Sequence, residues 1–228
     1  MTTVCIHQPD FLPWLGFFHR LKTCDVFVVL DNVQFIRRGW QHRDRIKTAQ
    51  GPQWLTVPVK KKGRFDQLIQ DVEIDETENW RGKHMKTLET AYAKAPFFAE
   101  FFPAVSGIYA NRHSQLMDLN MDFISFFCEA FGIEVETRMA SEMGVDAKRS
   151  RLLARLTAAV GGDAYITGLG ARDYLDESLF EAAGIRVRWQ AFTQREYPQL
   201  HGTFETGLSA IDALFNCGDD CRELIATH

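Results

Sequence analysis

The hydrophobic positions fall first into a short run, Val4-Cys5-Ile6, then into helical spacing from about Trp14 to Lys22, then into the unbroken run from Val26 to Leu30 behind Asp25. A short strand, a helix and a second strand with no polar alternation make a βαβ unit, the second strand being buried on both faces. The sheet is therefore expected to be at least partly parallel. Pro9 and Pro13 hold the residues before them extended and stiffen the loop after the first strand. Ligands of such sheets bind beyond the carboxyl ends of the strands. That edge carries His7, Gln8, Asp31 and Gln34.

Farther along, Trp54 to Val59 reads as a third strand that Pro58 confines to an edge or a strand end, and residues 68–74 as a short alternating strand. Helical spacing predicts helices over 80–94, 101–112 and 115–131, the last closed by Gly132. Strands are predicted over 133–137, 164–167 and 185–189, and helices over 148–160, before Gly161-Gly162, and over 208–216, before Gly218. No repeat or long polar linker divides the chain. The expectation is one α/β domain over residues 1–228, with a mainly parallel sheet and residues 80–131 as a helical lobe.

Composition narrows the classes. A chain of 228 residues, 46% hydrophobic and 25% charged, suits one α/β domain. Its net charge of −4 speaks against broad binding to duplex nucleic acid. No apolar run reaches the roughly 20 residues that span a bilayer, and Met1-Thr2-Thr3 lacks a basic leader, so no membrane insertion and a cytoplasmic location are expected. Cys5, Cys24 and Cys128 sit in apolar surroundings and read as reduced core thiols. Cys217 and Cys221 have C-x3-C spacing without a second ligand pair, so neither a metal nor a cofactor is expected.

Candidate chemistry gathers near the first two strands. His7, at a strand end beside Gln8, is placed to act as a general base, or simply to cap the strand. Asp31 follows five apolar residues and needs a partner, as a site carboxylate or in ordinary Asp-Asn turn chemistry. With Gln34 and Arg43 it can hold a sugar, a ribose or an amine. Trp40 to Arg45 suits stacking and an anion clamp, or an exposed loop, and Lys60-Lys61-Lys62 suits a solvated turn. His84 and Tyr92 read as core residues. Near the other end, Gly168 and Gly170 allow close backbone approach, while Tyr174 and Tyr197 offer hydroxyls to a sugar oxygen. No nucleophile elbow is visible.

The stretch His7-Gln8-Pro9-Asp10-Phe11-Leu12-Pro13-Trp14-Leu15-Gly16-Phe17 resembles the nucleotidylyltransferase class, in which a strand and a Pro-containing loop lead to an H-x-G-H helix start that grips triphosphate. Here those histidines fall on Trp14 and Phe17, with His19 displaced. The resemblance implies a nucleotidylyltransferase-like, Rossmann-like sheet, with Gly16 and the helix start left to favour an anion and Trp14 beside the substrate.

Taken in order, Ile6-His7-Gln8-Pro9, Leu12-Pro13-Trp14-Leu15-Gly16-Phe17-Phe18, Leu30-Asp31-Asn32-Val33-Gln34-Phe35, Arg43, Trp54-Leu55-Thr56-Val57-Pro58, Lys83-His84, Ser141-Glu142, Gly168, Gly170, Tyr174-Leu175, Tyr197 and Leu208-Ser209 resemble the WbqC-like protein family along essentially the whole chain. That resemblance implies a setting in bacterial surface-polysaccharide and O-antigen biosynthesis. Within it, the expectation is a transferase that moves an aminoacyl or acyl group from an activated donor, a thioester or an aminoacyl carrier, to a nucleotide-linked amino sugar. His7 and Asp31 are the expected catalytic residues, and Gln8, Trp14, Gln34, Arg43, Gly168, Gly170, Tyr174 and Tyr197 the substrate-binding ones. The rival expectations are a non-catalytic nucleotide-sugar binding or assembly protein, and a degenerate nucleotidylyltransferase using His7 and His19.

Overall fold

In the computed structural model, which describes residues 1–226, the apolar start of the chain forms β1 (Thr3–His7), α1 (Leu15–Lys22) and β2 (Val26–Val29). Next come β3 (Arg43–Thr48), β4 (Gly51–Thr56), α2 (Trp80–Tyr92), α3 (Phe98–Ala110), α4 (Leu116–Phe131) and β5 (Glu136–Met139). The rest of the chain adds α5 (Arg149–Ala159), β6 (Ala164–Thr167), α6 (Ser178–Glu181), β7 (Arg186–Trp189), α7 (Ala210–Cys217) and α8 (Cys221–Leu224).

Five strands form one sheet in the order β5-β2-β1-β6-β7, every pair parallel. The parallel sheet is the one expected from the unbroken apolar strands, and its Rossmann-like α/β architecture is the type that the resemblance implied. Side chains alternate between the faces of a strand, so the sheet builds two cores. On one face Cys5, Phe27, Val29 and Ile166 pack with residues of α1, α4 and α7. On the other, Val4, Ile6, Val26, Val28 and Tyr165 meet Leu152 and Leu156 of α5 and Phe180 of α6. Phe18 of α1 lies 5.1 Å from Phe127 and 5.2 Å from Phe131, which fastens α4 to the sheet's first helix. Each such ring stabilises the fold by roughly 1.5–3 kcal/mol on burial.

β3 and β4 form a separate antiparallel hairpin, not part of the main sheet. The expected strand over 54–59 is therefore β4, begun earlier, and Arg43 to Arg45, read as loop, is its partner. The expected strand over 68–74 is a single helical turn at Ile69–Asp71, flanked by the isolated bridges Gln34–Leu68 and Val59–Ile74. Its alternation comes from Ile69, Val72 and Ile74 turning inward without a neighbouring strand to complete a ladder.

The loop after β1 is held from outside the sheet. Asn120 of α4 is fully buried and donates to the carbonyls of Pro9, at 2.8 Å, and Gln41, at 2.7 Å. The Gln41 side-chain amide donates to that of Gln8, and the Phe11 amide donates to the Trp40 carbonyl at 3.0 Å. One α4 side chain thus ties the His7–Pro9 loop to the start of the hairpin. No described helix is long and apolar enough to cross a membrane.

Candidate functional site

β1 sits at the centre of the sheet, with β2 on one side and β6 on the other. The chain winds outward in both directions from this pair, so β1 and β6 border the point where strand order reverses, the usual place for a ligand crevice. A cavity of about 800 Å³ opens there. Its walls come from the end of β1, the loops after β2 and β6, the Trp40 turn and the first turns of α5.

Of the residues expected at a site, the cavity brings together His7, Gln8, Gly168, Gly170 and Tyr174. His7 Nδ1 lies 2.8 Å from the Gln8 carbonyl, which can only accept, so Nδ1 carries the hydrogen and Nε2 is the ring's acceptor. The ring stands edge-on to Phe17, with centroids 5.2 Å apart. Burial, and next the positive charge of Arg20, lower the His7 pKa to about 3, so the imidazole is neutral at working pH. Three residues on, Asp10 places a carboxylate oxygen 3.7 Å from His7 Nδ1. Burial lifts the Asp10 carboxyl to about 7 against the pull of Arg20.

Among the cavity residues absent from the expectations are two arginines and a serine. Arg20 is buried in α1, between His19 and Leu21, yet its guanidinium reaches the cavity. Its Nε donates to Gln190 Oε1 at 3.0 Å, and a Cβ on Gly168 would lie 3.0 Å from its Nη2. Arg149 and Ser150 begin α5 in the cavity wall. The one sequence signal for Arg20 was a cation inside a helix whose residues from Leu15 to Leu21 are all buried.

The other expected residues lie outside the cavity, most with their polar groups already bonded. Asp31 is buried; its Oδ1 accepts from the Ser141 amide at 2.9 Å and its Oδ2 from the Ser141 hydroxyl at 2.6 Å. It joins the end of β2 to the turn after β5. Trp14 folds its indole over Gly16, where a Cβ would meet the ring at 2.3 Å, and packs edge-on against Phe192 at 5.5 Å. The first turn of α1, expected to face an anion, is therefore covered by indole. Gln34 Nε2 donates to the Phe65 carbonyl at 3.2 Å, and Arg43 donates to the Arg38 carbonyl at 2.6 Å while lying 4.3 Å over the Trp54 ring. Tyr197 is buried and donates to Asp212 Oδ1 at 2.8 Å. His19 accepts at Nδ1 from Gln190 Nε2 at 2.9 Å and packs on Phe192, away from the cavity.

A family model described as the WbqC-like protein family matches residues 8–223. A relative named "Uncharacterized protein Rv1507c", from Mycobacterium tuberculosis (strain ATCC 25618 / H37Rv), is 38% identical over 230 residues, which cover 99% of this chain and 98% of the relative. No solved structure matches the chain significantly.

Proposed function

The chain belongs to the WbqC-like protein family, and from that premise we propose that it is a transferase of bacterial surface-polysaccharide biosynthesis. It moves an acyl or aminoacyl group from an activated donor to the amine of a nucleotide-linked amino sugar bound in the cavity. The reading is carried by one observation: a neutral imidazole, its acceptor nitrogen fixed by the Gln8 carbonyl, in the wall of the cavity at the sheet's switch point. In the reaction the sugar nitrogen attacks the acyl carbon, the carbon–nitrogen bond forms as the donor's thiolate or alkoxide leaves, and the nitrogen's proton passes to His7 Nε2. Gln8, tied to Gln41, and the loop at Gly168 and Gly170 position the sugar, with the exposed Tyr174 offering its hydroxyl at the rim. Holding two substrates in register supplies rate without a covalent intermediate. Asp31 acts through Ser141, as a positioning residue for the cavity's β2 side.

A transfer assay with amino-sugar nucleotides and thioester donors tests this. His7→Ala is expected to lower kcat by about 10²-fold, the low end for a general base because an imidazole of pKa about 3 takes a proton weakly, with the thermal transition retained. Unchanged turnover in that variant sinks the assignment. A second reading, a nucleotide-sugar binding protein without turnover, is favoured by the weak basicity of His7 in the open cavity. Saturable binding with no transfer from any donor decides for it. The nucleotidylyltransferase alternative fares worse, because Trp14 covers Gly16 and His19 faces Phe192.

A further inference from the structure

The cavity's charge is out of keeping with the molecule's. The chain carries a net −4, yet the residues lining this cavity include two arginines, Arg20 and Arg149, and no aspartate or glutamate. Arg20 is 8% exposed; its guanidinium donates from Nε to Gln190 and has the Cys5 thiol beside it, which leaves its other edge toward the cavity. Among the described residues no carboxylate lies within ion-pair distance of it; the Asp10 carboxyl feels its charge from farther off, yet burial lifts that group to about 7. Keeping a guanidinium out of water without a close counter-charge is costly, and proteins pair such groups unless a ligand supplies the partner. Gly168 leaves the guanidinium its room, since a side chain there would press on Nη2.

An independent feature points the same way. α5, of eleven residues, starts in the cavity wall, with Arg149, Ser150, Leu152 and Leu153 lining it. The first amides of a helix have no partners within it and favour negative charge. A volume of about 800 Å³ also exceeds what a lone inorganic anion fills, and part of the wall, Leu30, Val33, Ile36 and the half-exposed Trp40, is apolar and offers an aromatic face.

From these observations we infer that the free edge of the Arg20 guanidinium, with Arg149 and the amino end of α5, forms an anion site that takes the pyrophosphate of a nucleotide-linked substrate. The positive charges of the buried Arg20 and the exposed Arg149 match the two negative charges of a pyrophosphate diester. The inference rests on the cavity being the substrate site, as proposed above, and names which part of the substrate lies deepest. It does not depend on acyl transfer being the reaction.

The test is binding of UDP, inorganic pyrophosphate and uridine to the full-length protein by calorimetry, at fixed ionic strength. UDP and pyrophosphate are expected to bind, uridine at least tenfold more weakly. Arg20→Met is expected to weaken UDP at least tenfold and Arg20→Lys to restore part of that loss, while Arg43→Ala, outside the cavity, leaves it unchanged. Should Arg20→Met fail to fold, the wild-type protein answers by NMR: the Arg20 Nε–Hε resonance moves on adding pyrophosphate and stays in place with acetate. Equal UDP affinity in a folded Arg20→Met, a stationary Arg20 resonance at saturating UDP, or no binding of UDP and pyrophosphate at millimolar concentration overturns the site. Arg20-dependent UDP binding upholds it even if no acyl transfer is found. Transfer at the wild-type rate by Arg20→Met removes it and leaves the transferase reading standing.

Discussion

His7, Asp10 and Arg20 form a mutually dependent set at the end of β1. Burial first, then Arg20, holds the His7 imidazole neutral, so Arg20→Gln is expected to raise the His7 pKa from about 3 without restoring the ordinary 6.5, because burial persists. An imidazole titration by NMR reads it, and an unmoved pKa removes the electrostatic link between them. Asp10 behaves oppositely. Its folded-state pKa, about 7 against an ordinary 3.8, contributes stability at low pH that is lost as pH rises through 7. Asp10→Asn is therefore expected to gain on the wild type between pH 4 and pH 8, by on the order of 4 kcal/mol. Unfolding in urea at both pH values checks this, and parallel curves refute it. At this scale the sequence was readable where position along a strand decides where a residue lies, as for His7 and Gln8 in the cavity wall. It was unreadable where a polar group's partner is remote, as for Asp31 with Ser141 or Tyr197 with Asp212.

Asp31 shows how an element is fastened. Its two bonds to Ser141 clamp the turn after β5 to the end of β2, and charged hydrogen bonds of this kind stabilise by about 1.5–3 kcal/mol each. Asp31→Asn is expected to lower unfolding stability by about 2–3 kcal/mol and to speed amide exchange at Ser141, with UDP affinity retained. Loss of affinity without loss of stability gives Asp31 a direct role at the ligand. Helix α7 is fixed by a second network, in which Tyr92 and Tyr197 donate to the buried Asp212 at 2.7 and 2.8 Å, and the Lys47 amide donates to the Tyr92 hydroxyl at 3.0 Å. Tyr197→Phe is expected to cost about 1–2 kcal/mol by thermal unfolding and to leave transfer untouched. Equal stability would mean that water replaces the lost hydroxyl. The same network explains why the hairpin escaped the hydrophobic pattern. β3 reads Arg-Asp-Arg-Ile-Lys-Thr, polar on paper, yet Asp44, Lys47 and Thr48 are buried, and Lys47 Nζ donates to Gln199 at 3.0 Å and to the Thr203 carbonyl. The βαβ unit was legible because burial on both faces needs only apolar residues.

Across the whole molecule, the parallel sheet and the residues at its carboxyl edge followed from two apolar strands and a stiff proline loop. What topology added is the reversal of strand order between β1 and β6, which turns the buried cation of α1 into part of a cavity. No local pattern carries that, since Arg20 meets Gly168 and Gln190 only after the chain has wound through five strands. The same order leaves β5 and β7 as the sheet's borders, each bonded along one side. An open border offers unpaired backbone groups to any other strand, and these two carry charge, Glu136 and Arg138 on one and Arg186 and Arg188 on the other. The charges that do nothing for the cavity thus guard the molecule against adhesion to its own copies. A double change, Arg138→Val with Arg188→Val, should therefore leave the fold and the ligand site in place while turning a clear concentrated solution turbid.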